Sequence, residues 1–352
     1  MKIKLFCLIL ILALCITCVS FVACNDTSDD PPKDNETSTR EEETLPPPIE
    51  LADGDDLSFV LNADKQSYSV LGLFHETGAI RIEIPEEHDG LPVTAICASA
   101  FASSAYLESV FVPDTVTHIG HNAFDGCGVL KNVELSKNLV FVGELAFEGC
   151  ESLELKEYDN ALYLGSKSAP YTLLIRAADT EIESCTVHSD TKIIYDYAFL
   201  ECTEIDEITI PDGIIAIGSY VFEDCYDLFP NNAHNGAYYL GNSANPYLVL
   251  VDTSGERELD ELVIEPATKI IAPGAIEGCS NLTSITIPAG VSYIGQYAFE
   301  GCTSLSSVTF ESEAWEIIDG EKIHTPIAVD PSSDDIAEDL SEIYYYCAWY
   351  KQ

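Results

Sequence analysis

An α/β solenoid is the fold this sequence predicts: stacked coils with a parallel β-sheet on one face and short helical turns on the other. Three observations predict it. A unit of 23 residues recurs along the chain. Within the unit, apolar residues first alternate and then recur at the spacing of one helical turn. Two longer segments, themselves alike, interrupt the units.

The repeat is plain in LESVFVPDTVTHIGHNAFDGCGVL (107–130), LKNVELSKNLVFVGELAFEGCESL (130–153), IDEITIPDGIIAIGSYVFEDCYDL (205–228) and LTSITIPAGVSYIGQYAFEGCTSL (282–305). Its aromatic or apolar anchors are Phe101, Phe124, Phe147, Phe199, Phe222, Ile276 and Phe299. In the last unit Ile285 and Ile287 alternate as on a strand with one buried face. Pro288 ends the strand, because proline has no N–H to give a ladder. Val291 and Ile294 turn inward again, and Gly295 leads into the turn that holds Ala298, Phe299 and Cys302. A lone unit cannot bury this face, so units must stack, each strand in parallel with the next.

The interruptions are NALYLGSKSAPYTLLI (160–175) and GAYYLGNSANPYLVLV (236–251). Tyr163-Leu164-Gly165 returns as Tyr239-Leu240-Gly241, and Pro170-Tyr171 as Pro246-Tyr247, each 76 residues on. Two short apolar runs around a Gly/Ser/Asn-rich turn read as a β-hairpin. Each follows the second coil of a pair, so both hairpins are expected to leave the solenoid and project from one edge, with Asn242 and Asn245 at the second tip. The solenoid with its N-terminal β cap is expected over 57–310, and a C-terminal cap over 311–352.

Ahead of it, Lys2 and Lys4 precede an uncharged apolar run from Leu5 to Val22. Phe21-Val22-Ala23-Cys24 then resembles a bacterial lipobox, which implies that residues 1–24 are a lipoprotein signal and that Cys24 is diacylated and starts the mature chain. An ordinary cleaved signal and an uncleaved anchor are the alternatives, and all three put the body outside the cytoplasm. Residues 25–56 hold 12 acids and two bases among repeated prolines, a composition that reads as a disordered, self-repelling tether.

Charge narrows the partners. With 16 Lys and Arg against 60 Asp and Glu, the formal net charge is -44. Such a surface repels phosphate backbones and anionic lipids, so nucleic acid is not expected, and the membrane is met only through the lipid. Nine of the 13 cysteines lie beyond Cys24, and six of them share one repeat position, so they read as small core residues rather than a disulfide frame or a zinc site. His118 and His121 form the closest histidine pair without a third ligand nearby in sequence. No phosphate loop or nucleophile elbow is present. No metal, cofactor or catalytic set is therefore expected. The many acids leave a calcium site open, although no EF-hand loop supports one.

The string I-P-x-x-V-x-x-I-G-x-x-A-F-x-x-C, the leading segment LSFVLNADKQSYSVLGLF (57–74) with IPEEHDGLPVTAI (84–96), and the closing IYYYCAWY (343–350) resemble the BspA-type leucine-rich repeats of bacterial surface proteins. The resemblance implies a leucine-rich-repeat solenoid on the cell surface, non-catalytic, with adhesion and protein-binding roles. Its recognition face would be the outward strand positions Glu83, Phe111, Glu134, Thr186, Thr209, Val263, Thr286 and Thr309, read as one continuous ridge, although β-propensity alone also favours such residues. The hairpin tyrosines Tyr163, Tyr171, Tyr239 and Tyr247 either anchor a partner or seal the hairpins onto the coils. The expected partner is an extracellular protein or glycan; the alternative is a surface lipoprotein that captures a polysaccharide or peptide nutrient. The oligomeric state is left open.

Overall fold

The computed structural model describes residues 49–351 apart from 75–77, 230–231, 254–258, 313 and 324–325. The chain divides into Met1–Leu45 and Pro46–Gln352, and every described residue falls in the second unit. The signal, Cys24 and most of the tether lie outside the described residues, as do His75 and His324.

The protein is a leucine-rich-repeat solenoid of about ten levels. One ladder of short parallel strands forms the ridge face. Its first block runs through Ile49–Ala52, Ala79–Glu83, Ser109–Phe111 and Asn132–Glu134. The register follows the repeat, with Glu83 opposite Phe111 and Phe111 opposite Glu134. Ile49–Ala52 belongs to this block although its residues were expected to be tether; Ala52 is fully buried. A second parallel ladder lines the other side of each coil and includes Leu91–Ile96, His118–Ile119 and Phe141–Val142.

The turns are not helical, contrary to expectation. In the second coil the N–H groups of Asn122, Phe124 and Gly126 donate to Glu144, Ala146 and Glu148 of the next coil, at 3.0, 2.8 and 2.8 Å. Only Asp125 and Cys127 bond back within their own turn, to Asn122 and Phe124. Alternate donors thus go up the stack, and a helix would need them all for itself. Among the described residues, regular helix is confined to Ile336–Glu338 and the wider turn Asp339–Ile343 in the C-terminal cap.

The hairpins also differ from expectation. They do not project; each occupies a level of the stack. Leu173 and Leu174, on the second strand of the first hairpin, pair in parallel with Ile193 and Ile194 of the next coil. Val249 and Leu250 pair likewise with Ile270 and Ile271. At the tips, Leu135 N–H donates to Gly165 O and Ile210 N–H to Gly241 O. The Asn242 amide reaches Ile210 O at 3.0 Å, and that of Asn245 reaches Ala267 O at 2.9 Å. A Cβ on Gly241 would sit 2.0 Å from Asn245 O, so the tip requires glycine there.

The core is one continuous column. Phe101, Phe124 and Phe147 stack with centroids 5.4 Å apart, and Phe199 and Phe222 at 5.9 Å. All nine cysteines from Cys97 to Cys347 are free and buried. Beside the rings run their thiols: Cys127, Cys150, Cys225 and Cys302 each donate to the carbonyl 26 positions earlier, at 3.1–3.2 Å. Their place in the column is that of a small hydrophobe which also satisfies a carbonyl. The C-terminal strand Ala348–Lys351 runs antiparallel to Tyr293–Ile294 and Trp315–Ile318, and so closes the parallel ladder.

The array bends back on itself. His121 N–H donates to Gly320 O at 3.1 Å, and the rings of Phe141 and Tyr350 lie 6.3 Å apart. The two hairpins divide the coils into three modules, and coils of the first, ahead of residue 160, therefore touch the C-terminal cap. Between them sits a polar hub. Tyr195 hydroxyl accepts from Phe147 N–H at 3.0 Å, Ser219 Oγ donates to Glu144 at 2.8 Å, and Tyr293 hydroxyl donates to Ile217 O at 3.0 Å. The hub encloses a cavity of about 20 Å³, and the buried Tyr350 hydroxyl has no protein partner.

Candidate functional site

The ridge is broken into blocks because each hairpin takes a level. Glu83, Phe111 and Glu134 form the first block; Thr186 pairs with Thr209 in the second, and Thr286 with Thr309 in the last. Val263 is 68% exposed in a stretch without assigned strand. The expected continuous ridge is therefore three separate patches of different chemistry. The second and last present threonines. The first presents an exposed ring, Phe111, flanked by charge.

That first block is the richest surface. The strands Ala79–Glu83, Ser109–Phe111 and Asn132–Glu134 form its floor, and the tip of the first hairpin forms its wall. The groove between them has a volume of about 600 Å³ and is lined by Arg81, Glu108, Glu134, Glu154, Lys156 and Lys167, among others. Bases and acids alternate here in a chain otherwise dominated by acids. Arg81 pairs with Glu83 at 3.4 Å, Lys131 with Glu108 at 3.2 Å, and Lys167 with Glu134 at 2.5 Å. These side chains are solvent-facing, so each pair contributes about 0.2–1 kcal/mol at most and is free to exchange partners. The Lys167–Glu134 pair ties the hairpin tip to the floor.

Of the hairpin tyrosines, Tyr163 and Tyr239 turn fully inward, while Tyr171 and Tyr247 stay half-exposed. Tyr163 and Tyr239 are buried, and their hydroxyls accept from His188 N–H at 3.3 Å and Glu265 N–H at 3.4 Å. Burial pushes the Tyr239 phenol up to about 12. Tyr171 is half-buried and stacks on His188 at 3.9 Å, while Tyr247 lies 4.7 Å from His234. Tyr163, Tyr171 and Tyr239 thereby pack their hairpins against the following coil.

His118 and His121 are likewise taken up by packing. His121 Nδ1 accepts from Glu144 N–H at 2.7 Å, and burial pushes His118 down to about 4. Among the described residues no group of three or more His, Cys, Asp or Glu side chains is placed to hold a metal ion. Sequence reasoning missed a second surface, on the turn side of the coils, where Tyr197, Tyr220 and Tyr297 are exposed or half-exposed. Their common position, two after the I-G step or its equivalent, was the available signal.

These features define a repeat solenoid that offers extended surfaces. The BspA type leucine rich repeat region matches in six copies over residues 73–168, 177–245 and 254–321, and the chain belongs to that family of bacterial surface proteins. Members of the family are generally non-catalytic binding proteins. Among solved structures, a leucine-rich cell surface protein from Faecalibacterium prausnitzii is 26% identical, with 76% of this chain and 78% of that chain covered and a TM-score of 0.31. A leucine-rich-repeat protein of T. pallidum is 23% identical over 72% of this chain and 89% of that chain, with a TM-score of 0.34. One from Bacteroides capillosus is 32% identical over 28% of this chain and 75% of that chain, with a TM-score of 0.26. No curated protein matches.

Proposed function

We propose that this chain is a lipid-anchored, non-catalytic binding protein of the bacterial surface, and that it holds an extracellular protein on the first ridge block. The observation that carries this reading is the mixed-charge groove beside exposed Phe111, which is 44% exposed where its neighbours in register are charged. An aromatic ring ringed by exchangeable ion pairs suits a protein surface: the ring supplies buried area, and the charges supply orientation. The acidic remainder supports the exclusion of nucleic acid. Capture of the full chain on immobilised extracellular matrix proteins, run beside a glycan array, tests it. A protein partner whose binding falls at least tenfold with Phe111→Ala is expected. Binding to a polysaccharide that ignores Phe111 would instead favour nutrient capture.

A further inference from the structure

The turn face carries a second cleft, independent of the ridge reading. In every coil the residue that opens the turn has a left-handed backbone. These are Ser99, Asn122, Leu145, Tyr197, Tyr220, Gly274 and Tyr297, with φ between 54° and 68°. Glycine and asparagine suit that conformation; a tyrosine there costs about 1 kcal/mol more than glycine. Three of the seven positions nevertheless hold tyrosine. Tyr197 and Tyr220 stack with centroids 5.5 Å apart and planes 9° from parallel. Tyr220 is 56% exposed, so the stacked face buries little and its ring is open to a ligand.

Tyr220 and Tyr297 line a cleft of about 360 Å³ where the second module meets the third. Tyr226 and Phe229 add ring surface to it, and the charged side chains that line it among the described residues are acidic, with Glu223 and Glu277 exposed. Among the described residues neither lysine nor arginine lines it. Burial, together with the carboxylates of Glu277, Glu144, Glu223 and Glu300, pushes the Tyr220 phenol up, so ring and acids share one negative field.

We propose that this cleft binds the lysine or arginine side chain of a basic peptide segment, with the tyrosine rings as stacking faces and Glu223 and Glu277 as counter-charge. Aromatic faces attract a cation through the ring quadrupole, and nearby carboxylates add to that attraction. The volume accommodates a long cationic side chain rather than a folded domain. The acidic tether of this chain cannot be the occupant, because its 12 acids would meet like charge. Anionic polymers are repelled for the same reason.

The test uses the full chain and an acetylated, amidated Gly-Arg-Gly-Arg-Gly peptide, with its citrulline counterpart as the neutral control, in calorimetric titrations. Tyr220→Asn with Tyr297→Asn removes the rings while keeping the backbone conformation that Asn122 already adopts; unchanged thermal melting checks the fold. Glu223→Gln with Glu277→Gln removes the counter-charge, and Glu86→Gln with Glu87→Gln removes the same charge at a distance. We expect at least a tenfold loss of binding in the first two variants, none in the third, and no binding of the citrulline peptide. Equal losses in the second and third variants would reduce the effect to general attraction and overturn the site. So would full binding by the tyrosine variant, equal binding of citrulline, or binding of a neutral oligosaccharide in place of the peptide.

Discussion

The carboxylate of Asp196 accepts from the backbone N–H of Leu145, 51 positions earlier, at 3.3 Å. It also accepts from Ser219 N–H at 2.8 Å, so a single side chain joins coils on both sides of the first hairpin. Asp196 is 6% exposed, and its burial, with Glu144 adding like charge, raises its pKa to about 7.

An unfolded aspartate ionises near pH 4 (about 3.9). Between that pH and about 7 the folded protein holds a proton that the unfolded chain has lost. The stability from this group is therefore fully present below about pH 4 and is lost as pH rises through about 7. Asp196→Asn cannot ionise, although its NH2 group replaces one of the two oxygens that accept from Leu145 and Ser219. Relative to its difference from the wild type at pH 4, thermal melts should show the variant gaining steadily as pH rises to 7, by up to about 4 kcal/mol at pH 8. Parallel pH curves for the two proteins would exclude this role.

The phenylalanine column sets a second expectation. Phe124 has a stacked ring on each side, whereas Phe299 has Ile276 as its counterpart in the preceding coil. Phe124→Ala should cost about 3–5 kcal/mol, and Phe299→Ala less, in urea titrations read by far-UV circular dichroism. Equal costs would argue that the rings act independently.

Trimming the hairpin tips offers a third. Hairpins that projected, as expected from the sequence, would let residues 165–169 and 241–245 be removed without cost to the fold. With Asn242 and Asn245 bonded to neighbouring levels, trimming should instead lower stability, and Asn242→Ala alone by about 1–2 kcal/mol. Differential scanning calorimetry distinguishes the two outcomes.

The anchor is the fourth. If Cys24 carries a diacyl group, two chains give stable membrane attachment. Cys24→Ser should move the protein to the soluble fraction and abolish labelling by a metabolically incorporated fatty acid.

What could be read in advance was whatever repeats. The strand register, with Thr186 beside Thr209 and Thr286 beside Thr309, follows from a period of 23 and needs no tertiary knowledge. The turns misled because Ala298, Phe299 and Cys302 show helical spacing, while the choice between bonding within the coil and bonding up the stack depends on the neighbour. The hairpins misled for a related reason: Tyr-Leu-Gly and Pro-Tyr announce two paired strands, yet say nothing about which other strands flank them. The hub was illegible because the residues that meet in and around it, such as His121, Glu144, Asp196 and Ser219, share one repeat position but no chemistry.

The meeting of His121 with Gly320 bears on how this gene can change. An open-ended array tolerates the gain or loss of a unit, since each level answers only to its neighbours. Here a duplicated module of 76 residues would drive the cap away from the coil it rests on, and a deleted one would leave it without a seat. Slipped-strand duplication, the ordinary way repeat genes lengthen, is thereby penalised at the level of the folded product. The arc has a fixed circumference, and descent with modification is left to the faces of the coils rather than to their number.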